Sequence, residues 1–184
     1  MPGATLQEPD PQLIRAAVHG DRSAFGALVR LYQGDVWRMS FHLVRNETLA
    51  DDITQDAFVR AYRFLSRYRG DSKFSTWLFS IARNCALDEL RRASRRRKVT
   101  ERLDAQPAPE RSDPSVVLEV REAVAKLPVD LREPVVLIDI CGLSYKEACE
   151  VLKLPEGTVK SRVHRGRETL AGILTFKTEE TNEI

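Results

Sequence analysis

The sequence predicts an all-α protein, built as two small helical bundles joined by a flexible linker. Apolar residues recur at three- and four-residue spacing through most of the chain, as one face of a helix requires. No stretch alternates convincingly with period two, so no segment presents itself as a strand. A segment rich in proline and acid, ERLDAQPAPERSDP, interrupts the helical period between the two sets.

Pro2, Pro9 and Pro11 punctuate a polar start, and a short helix over 12–18 ends near Gly20. From residue 23, Phe25, Leu28, Val29, Tyr32, Val36, Met39 and Leu43 form one stripe, with Asp21 or Ser23 as cap and Asn46 at the stop. Gly34 inside this helix costs ~1 kcal/mol. Thr48 and Asp51 are spaced as a capping box for the next helix. Its inward face is Ala50, Ile53, Ala57, Ala61, Phe64 and Leu65, and Asp52, Gln55, Asp56, Arg60 and Arg63 lie on another. RYRGDSK makes a turn through Gly70, Asp71 and Ser72. A third long helix points Phe74, Leu78, Ile81, Ala82 and Cys85 inward, and Arg83, Asn84, Asp88 and Arg91 outward.

The segment over 94–114 starts with cations and turns acidic, with little to bury, and reads as a linker. In the second set, Val117, Val120, Val124 and Leu127 form a stripe that Pro128 ends. Asp130 as cap and Glu133 three residues on open a helix through Ile140, where Pro134 is acceptable only within the first turn. Gly142 breaks the chain, and Ser144 with Glu147 makes another capping box for a helix over 145–152. After KLP the last helix covers 156–174. The expected division is a tail with a short helix (1–20), a first bundle (21–93), a linker (94–115), a second bundle (116–176) and a tail (177–184).

A 42% hydrophobic share allows a packed core, and a 30% charged share argues against a membrane protein. The longest apolar run, VVLIDIC, is far short of the ~20 residues that span a bilayer. MPGATLQEPDPQ lacks the basic patch and apolar run of a secretion signal. Three cysteines, Cys85, Cys141 and Cys149, form no CxxC pair and leave an odd count, so no disulfide framework or zinc site is implied and a reducing compartment is the default. Cys141 and Cys149 read as small buried hydrophobes, with a redox role as the alternative. These points suggest a cytoplasmic protein that binds no metal and no cofactor. The net charge of +2 conceals segregation. RRASRRRK and the last helix are basic, while ADDITQD and TEETNE are acidic, so more than one partner is expected.

PEGTVKSRVHRGRETL places Lys160, Arg162, Arg165 and Arg167 within a few turns, with Val159, Val163 and Leu170 between them. A short helix, a tight turn and a second helix make the helix-turn-helix arrangement, whose second helix enters the major groove. Ala148, Leu152 and Leu154 can pack on Val159 and Val163, leaving Lys160, Ser161, His164 and Arg165 facing out. Arginine can fork onto guanine, and lysine or serine can donate to base edges or phosphates. Thr158 lies at the positive start of the helix, where a phosphate binds well. Arg162 and Arg167 lie to the sides, toward the DNA backbone. The alternative is a solvated, salt-bridged surface helix, which explains neither the turn nor the apolar stripe.

EGTVKSRVHRGRETL, preceded by LSYKEACEVLKLP, resembles region 4 of the extracytoplasmic-function (ECF) group of bacterial RNA polymerase sigma factors. ADDITQDAFVRAYRFLSRYRGDSKFSTWLFSIARNCALDELRR resembles their region 2. The resemblance implies two helical domains, held apart by the linker and docked on core RNA polymerase at the clamp coiled coil of the largest subunit and at the flap. It places Asp52, Gln55, Asp56 and Arg60 on the clamp. Tyr68, Gly70, Asp71, Ser72 and Lys73 would form a pocket for an extruded base of the −10 element, which requires a concave loop and nearby cations. Asn84 would read a base edge, and Arg83, Arg91 and Arg92 would hold phosphates. Phe74 and Trp77 read as core; Phe79 stays open between core and base stacking. Glu101, Asp104, Glu110 and Asp113 would suit a mimic of RNA charge in the linker, or mere solubility.

The implied function is an alternative sigma factor that reads −35 and −10 elements, promotes melting and is controlled by an anti-sigma factor. Polymerase supplies the chemistry; no small-molecule substrate and no membrane insertion are expected. Arg95 to Lys98 is more cationic than a linker role needs, which suits DNA upstream of the bubble. A stand-alone DNA-binding regulator would share the C-terminal motif, but leaves RGDSKFSTW and the acidic helix unexplained. An enzyme finds no support: His19, His42 and His164 are scattered, with no nucleophile elbow, P-loop or metal motif beside them.

Overall fold

The computed structural model describes the backbone of residues 6–100 and 116–181, and side chains within 6–96 and 120–174. Helix α1 (Pro11–Val18) starts on Asp10, whose carboxylate accepts the Gln12 N–H at 2.7 Å, with Pro11 in the first turn, where its missing N–H costs nothing. Gly20, at φ 97°, turns the chain into α2 (Arg22–Val44). Of the two expected caps, Asp21 serves, accepting from Ser23 and Ala24 at 2.8 and 3.1 Å.

Helix α2 ends at Arg45, whose left-handed φ of 59° lets its N–H reach the Phe41 carbonyl at 2.7 Å. Helix α3 (Glu47–Phe64) then starts on Asn46, not on Thr48. The Asn46 side chain accepts the Leu49 N–H at 2.9 Å, and Asp51 accepts the Trp37 indole N–H at 2.8 Å instead of closing a box. A single 3-10 turn (Leu65–Arg67) follows.

Helix α4 (Phe74–Thr100) continues past the expected boundary at residue 94. Glu89 pairs with Arg92 and Arg96 on the next turns, which extends the helix where apolar periodicity has already stopped. The rest of the expected linker, with Glu101, Asp104, Glu110 and Asp113, lies outside the described residues.

Leu28, Tyr32, Val36, Met39 and Leu43 of α2 meet Ile53, Ala57, Phe58 and Ala61 of α3, and Phe74, Leu78, Phe79, Ala82 and Cys85 of α4. The alanines of α3 are fully enclosed and let the helices approach closely. Phe79 is core. Phe64, expected inside, is exposed, with Arg67 over its ring. Tyr32 is buried because its hydroxyl donates to the Gln7 carbonyl at 2.8 Å, sparing it an unsatisfied polar atom.

In the second set, α5 (Val116–Lys126) buries Ala123, Val124 and Ala125, while Val120 of the expected stripe is exposed. Helix α6 (Val129–Val135) has Pro128 at its cap position and no side-chain cap, so Asp130 and Glu133 do not form the expected pair. Pro134 sits in the second turn of α6, later than expected. It has no N–H for the preceding turn, and the backbone loosens directly after it into a π segment (Val136–Ile140) that closes on Cys141 N–H to Val136 O. Gly142, at φ 74°, leads into α7 (Tyr145–Leu152), and the last helix, α8 (Glu156–Thr181), extends beyond the expected 174.

The two sets are not held apart. Val136, Leu137, Cys141, Leu143, Ala148, Val151 and Leu152 belong to one buried cluster with Leu28, Leu43, Phe74 and Leu78. Arg132 fastens them, donating to Leu43 O of α2 at 3.0 Å and to Ala125 O and Leu127 O at 2.6 and 2.8 Å. Three carbonyls at two helix ends thereby find one donor, as buried helix termini require.

Candidate nucleic-acid interface

The capping box predicted at Ser144 and Glu147 forms in full: Glu147 Oε2 accepts from Ser144 N and Oγ, each at 2.7 Å, and Ser144 Oγ accepts from Glu147 N. Helix α7 stops at Lys153, in the left-handed region at φ 55°, and Pro155 precedes α8. Val159 and Val163 are fully buried in the same cluster as Ala148 and Leu152, with Leu154 packed beside them. That contact fixes the rotation of α8.

It leaves Lys160, Ser161, His164 and Arg165 exposed, as expected, with Thr158 and Arg162 half-buried beside them. Lys160 pairs with Glu156 at 2.7 Å, which raises its pKa, and His164 lies 3.3 Å from Glu168. Arg165 has no ion-pair partner among the described residues. Arg167 is turned to protein: its Nε and Nη2 donate to Asp139 Oδ2 and Oδ1 at 3.1 and 2.6 Å. Nothing local in the sequence marks Asp139, on the π segment, as a partner so far along the chain. Gly166 likewise carries no local signal in the sequence. A Cβ there would stand 2.6 Å from Val135 Cγ2, so glycine is what lets α8 lie on α6.

The second group of expected residues gathers at the start of α4. Gly70 takes φ 78°, and Tyr68 closes the loop by donating to Ser72 O at 2.7 Å. The Tyr68 ring rests on Phe74 edge-on and on Trp77, with centroids 5.6 and 5.3 Å away. Burial raises its pKa, so it stays a neutral donor. Gly70, Asp71 and Lys73 are exposed and Ser72 half-buried; Asn84, Arg91 and Arg92 are exposed on the outer side of α4. Ser75, at the start of α4, donates to Glu8, so the N-terminal segment straps this corner.

Two cations of this group are already engaged. Lys73 Nζ lies 2.7 Å from Glu147 Oε1, and Arg83 Nε lies 2.8 Å from Glu133 Oε1 in a pair largely hidden from solvent. The sequence points to neither role, since it marks Glu147 and Glu133 only as local helix caps.

On α3, Asp52 and Gln55 are exposed, and Arg60 reaches Asp56 at 2.8 Å and Asp88 at 3.3 Å. The face continues into Val59 and Tyr62, both large and nearly half exposed, beside a groove lined by Phe25, Phe58 and Arg63. Burial pushes the Cys85 thiol up to about 12 and raises Cys141 and Cys149 too, so none is a ready thiolate. No helix among the described residues is long and apolar enough to cross a membrane.

Comparison with known proteins agrees with this geometry. Residues 28–96 match the family model of sigma-70 region 2, and residues 118–170 match that of sigma-70 region 4. The chain is 37% identical to the RNA polymerase sigma-H factor of Pseudomonas aeruginosa, covering 89% of this chain and 93% of that one. It is 35% identical to the ECF RNA polymerase sigma factor SigW of Bacillus subtilis, covering 85% and 92%. Among solved structures, it is similar to CnrH in complex with the cytosolic domain of CnrY, with a TM-score of 0.70, 31% identity and coverage of 89% and 96%. The sigma factor RpoE in complex with the anti-sigma factor NepR from Bartonella quintana gives a TM-score of 0.72, 25% identity and coverage of 82% and 96%. With both regions in order and such relatives matched over nearly their whole length, the chain belongs to the extracytoplasmic-function RNA polymerase sigma factors of the sigma-70 family, which are transcription initiation factors.

Proposed function

We propose that this sigma factor carries core RNA polymerase to promoters whose −35 element is read as duplex by α8 and whose −10 element is held as a single strand by the loop at 68–73 and the outer side of α4. The observation that supports this best is the exposed row of Lys160, Ser161, His164 and Arg165 on a helix whose opposite side is pinned by Val159 and Val163. Such a helix can enter the major groove without losing its seat. Thr158 and Arg162 flank the row as phosphate contacts. At the other end, Tyr68, Gly70, Asp71, Ser72 and Lys73 form the base pocket, Asn84 reads an edge, and Arg83, Arg91 and Arg92 follow the strand.

Asp52, Gln55, Asp56 and Arg60 meet the clamp coiled coil of the largest subunit, and Val59 and Tyr62 extend that contact with apolar area. Acids set the pairing with a basic partner, and the aromatic supplies the anchor. The unit formed by α5 to α8 meets the flap. Two similar structures are of complexes with a partner protein, and one of them is of a sigma factor held by an anti-sigma factor. By analogy, a protein of that class restrains this chain in the cytoplasm.

Reconstitution tests the proposal. Purified core polymerase should be retained by the tagged chain, and the complex should make promoter thymines reactive to permanganate around −10. Retention without opening on any template would leave a DNA-binding regulator as the better description.

A further inference from the structure

We infer that Glu8 is a positioning residue for the −10 loop: from the strap ahead of α1 it holds the first turn of α4 through Ser75, and so sets the shape of residues 68–73. This rests on the assignment of that loop to the −10 strand. The strap precedes residue 28, where the match to region 2 begins, so that match gives it no role.

The loop has little packing of its own to keep its shape. Open clefts of about 510 and 340 Å³ lie on its two sides, and Gly70 lines both. Its form therefore depends on how its ends are anchored. Tyr68 fixes the near end by donating to Ser72 O, and its ring rests on Phe74 and Trp77. The far end is the start of α4, where Trp77 N–H donates to Lys73 O at 3.1 Å and closes the first turn. Ser75 lies inside that turn, only 2% exposed, and its hydroxyl donates to Glu8. A buried hydroxyl needs an acceptor, and a carboxylate is also the side chain that a helix start favours.

Glu8 can hold this turn because the strap has no slack. Leu6 packs on the core, and the Gln7 carbonyl accepts from the Tyr32 hydroxyl at 2.8 Å. Pro9 is buried with its φ fixed by the ring, and Asp10 caps α1. The two tyrosine anchors share one aromatic ring, since Phe74 lies 5.9 Å from Tyr32 and 5.6 Å from Tyr68. Burial, and after it the Glu8 charge, raises the pKa of both tyrosines, which stay neutral donors. Release of Glu8 frees the first turn of α4 and, with it, the junction that carries Ser72 and Lys73.

The test uses holoenzyme assembled from core polymerase and the full chain, on a template that the parent opens. Permanganate reactivity is compared between that template and versions with one −10 or one −35 base pair substituted. Glu8→Ala and Ser75→Ala should lower the −10 preference about threefold to tenfold, the range of one lost hydrogen bond, and leave the −35 preference unchanged. Glu8→Gln keeps an acceptor for Ser75 and should stay within about twofold of the parent. Asp21→Ala removes the α2 cap instead, and should lower Tm with no change in −10 preference. In the free chain, amide exchange at Trp77 should quicken about threefold to tenfold in Glu8→Ala but not in Asp21→Ala. A Glu8→Ala holoenzyme with the parent's −10 preference overturns the inference, whatever its Tm. So does a matching loss at −35, a Glu8→Gln loss equal to that of Glu8→Ala, or unchanged exchange at Trp77. A parent that opens no template sinks the proposed function, and this inference with it. A parent that opens templates beside an unaffected Glu8→Ala sinks the inference alone.

Discussion

Arg167 and Asp139 form a two-point pair, Nε to Oδ2 at 3.1 Å and Nη2 to Oδ1 at 2.6 Å, that ties α8 to the π segment behind it. Fork-to-fork geometry adds direction to charge attraction. This pair also raises the arginine's pKa, so it stays fully charged. The sequence alone suggested a phosphate contact for Arg167; the geometry favours a role in orienting α8. The two roles predict opposite results. If Arg167 orients the helix, Asp139→Asn weakens binding to a −35 duplex by about threefold to tenfold, in line with ~1 kcal/mol for a partly exposed pair. If Arg167 reaches phosphate, freeing it strengthens binding. Fluorescence anisotropy on a −35 duplex at fixed salt distinguishes them.

Gly166 offers a test of the seat itself. Adding a Cβ would put it 2.6 Å from Val135 Cγ2 and 3.4 Å from Leu131 O, one of them backbone. Gly166→Ala should therefore cost about 1–3 kcal/mol despite the better helix propensity of alanine. Val135→Ala makes room, so the double variant should recover part of that loss. A thermal-melt double-mutant cycle with no coupling would show that α8 does not rest on Val135.

Much of this was legible in the sequence because it is local. The Ser144–Glu147 box, the helix at 145–152 and the buried Val159–Val163 stripe depend on residues within a turn or two of one another. The closure of the two units was not, because Lys73 and Glu147 are brought together only by tertiary packing, and each has a sufficient local explanation. Helix ends fell between these cases. Asn46 was read as a stop when it is also the next start, since Arg45 supplies the left-handed residue that a glycine or asparagine normally would. Extension of α4 to Thr100 rests on its charged side-chain pairs, a signal that apolar periodicity does not carry.

Arg165 is the exposed cation of α8 best placed to read a base, having no ion-pair partner among the described residues. Its neighbours Lys160 and His164 each have an acid one turn away. Arg165→Ala should cost about 1–3 kcal/mol of discrimination between a correct and a substituted −35 base pair, as for a bidentate contact. Lys160→Ala should instead weaken all duplexes alike and flatten the salt dependence. Competition binding across a set of singly substituted duplexes reads both. An unchanged −35 preference in Arg165→Ala removes that residue from the reading set.

His42 makes the stability of the closed fold depend on pH. Burial, then Arg121 of α5 and Arg38 of α2, lower its pKa to about 4. The unfolded chain takes up a proton near the ordinary histidine value of about 6.5, while the folded chain resists it. Stability is therefore full above about 6.5 and declines as pH falls toward about 4, because in that window the unfolded state binds more protons. Allowing for the solvent that still reaches the ring, the loss is about 1–2 kcal/mol, or a few degrees in Tm. Carboxylate titration overlaps the lower part of the range, so the diagnostic interval is pH 6.5 to about 5. His42→Gln keeps a polar side chain without the titration, and should melt with a shallower slope across that interval. Equal slopes for parent and variant would mean that His42 is solvated well enough to accept its proton without loss, and that Arg121 does not press on it from across the interface.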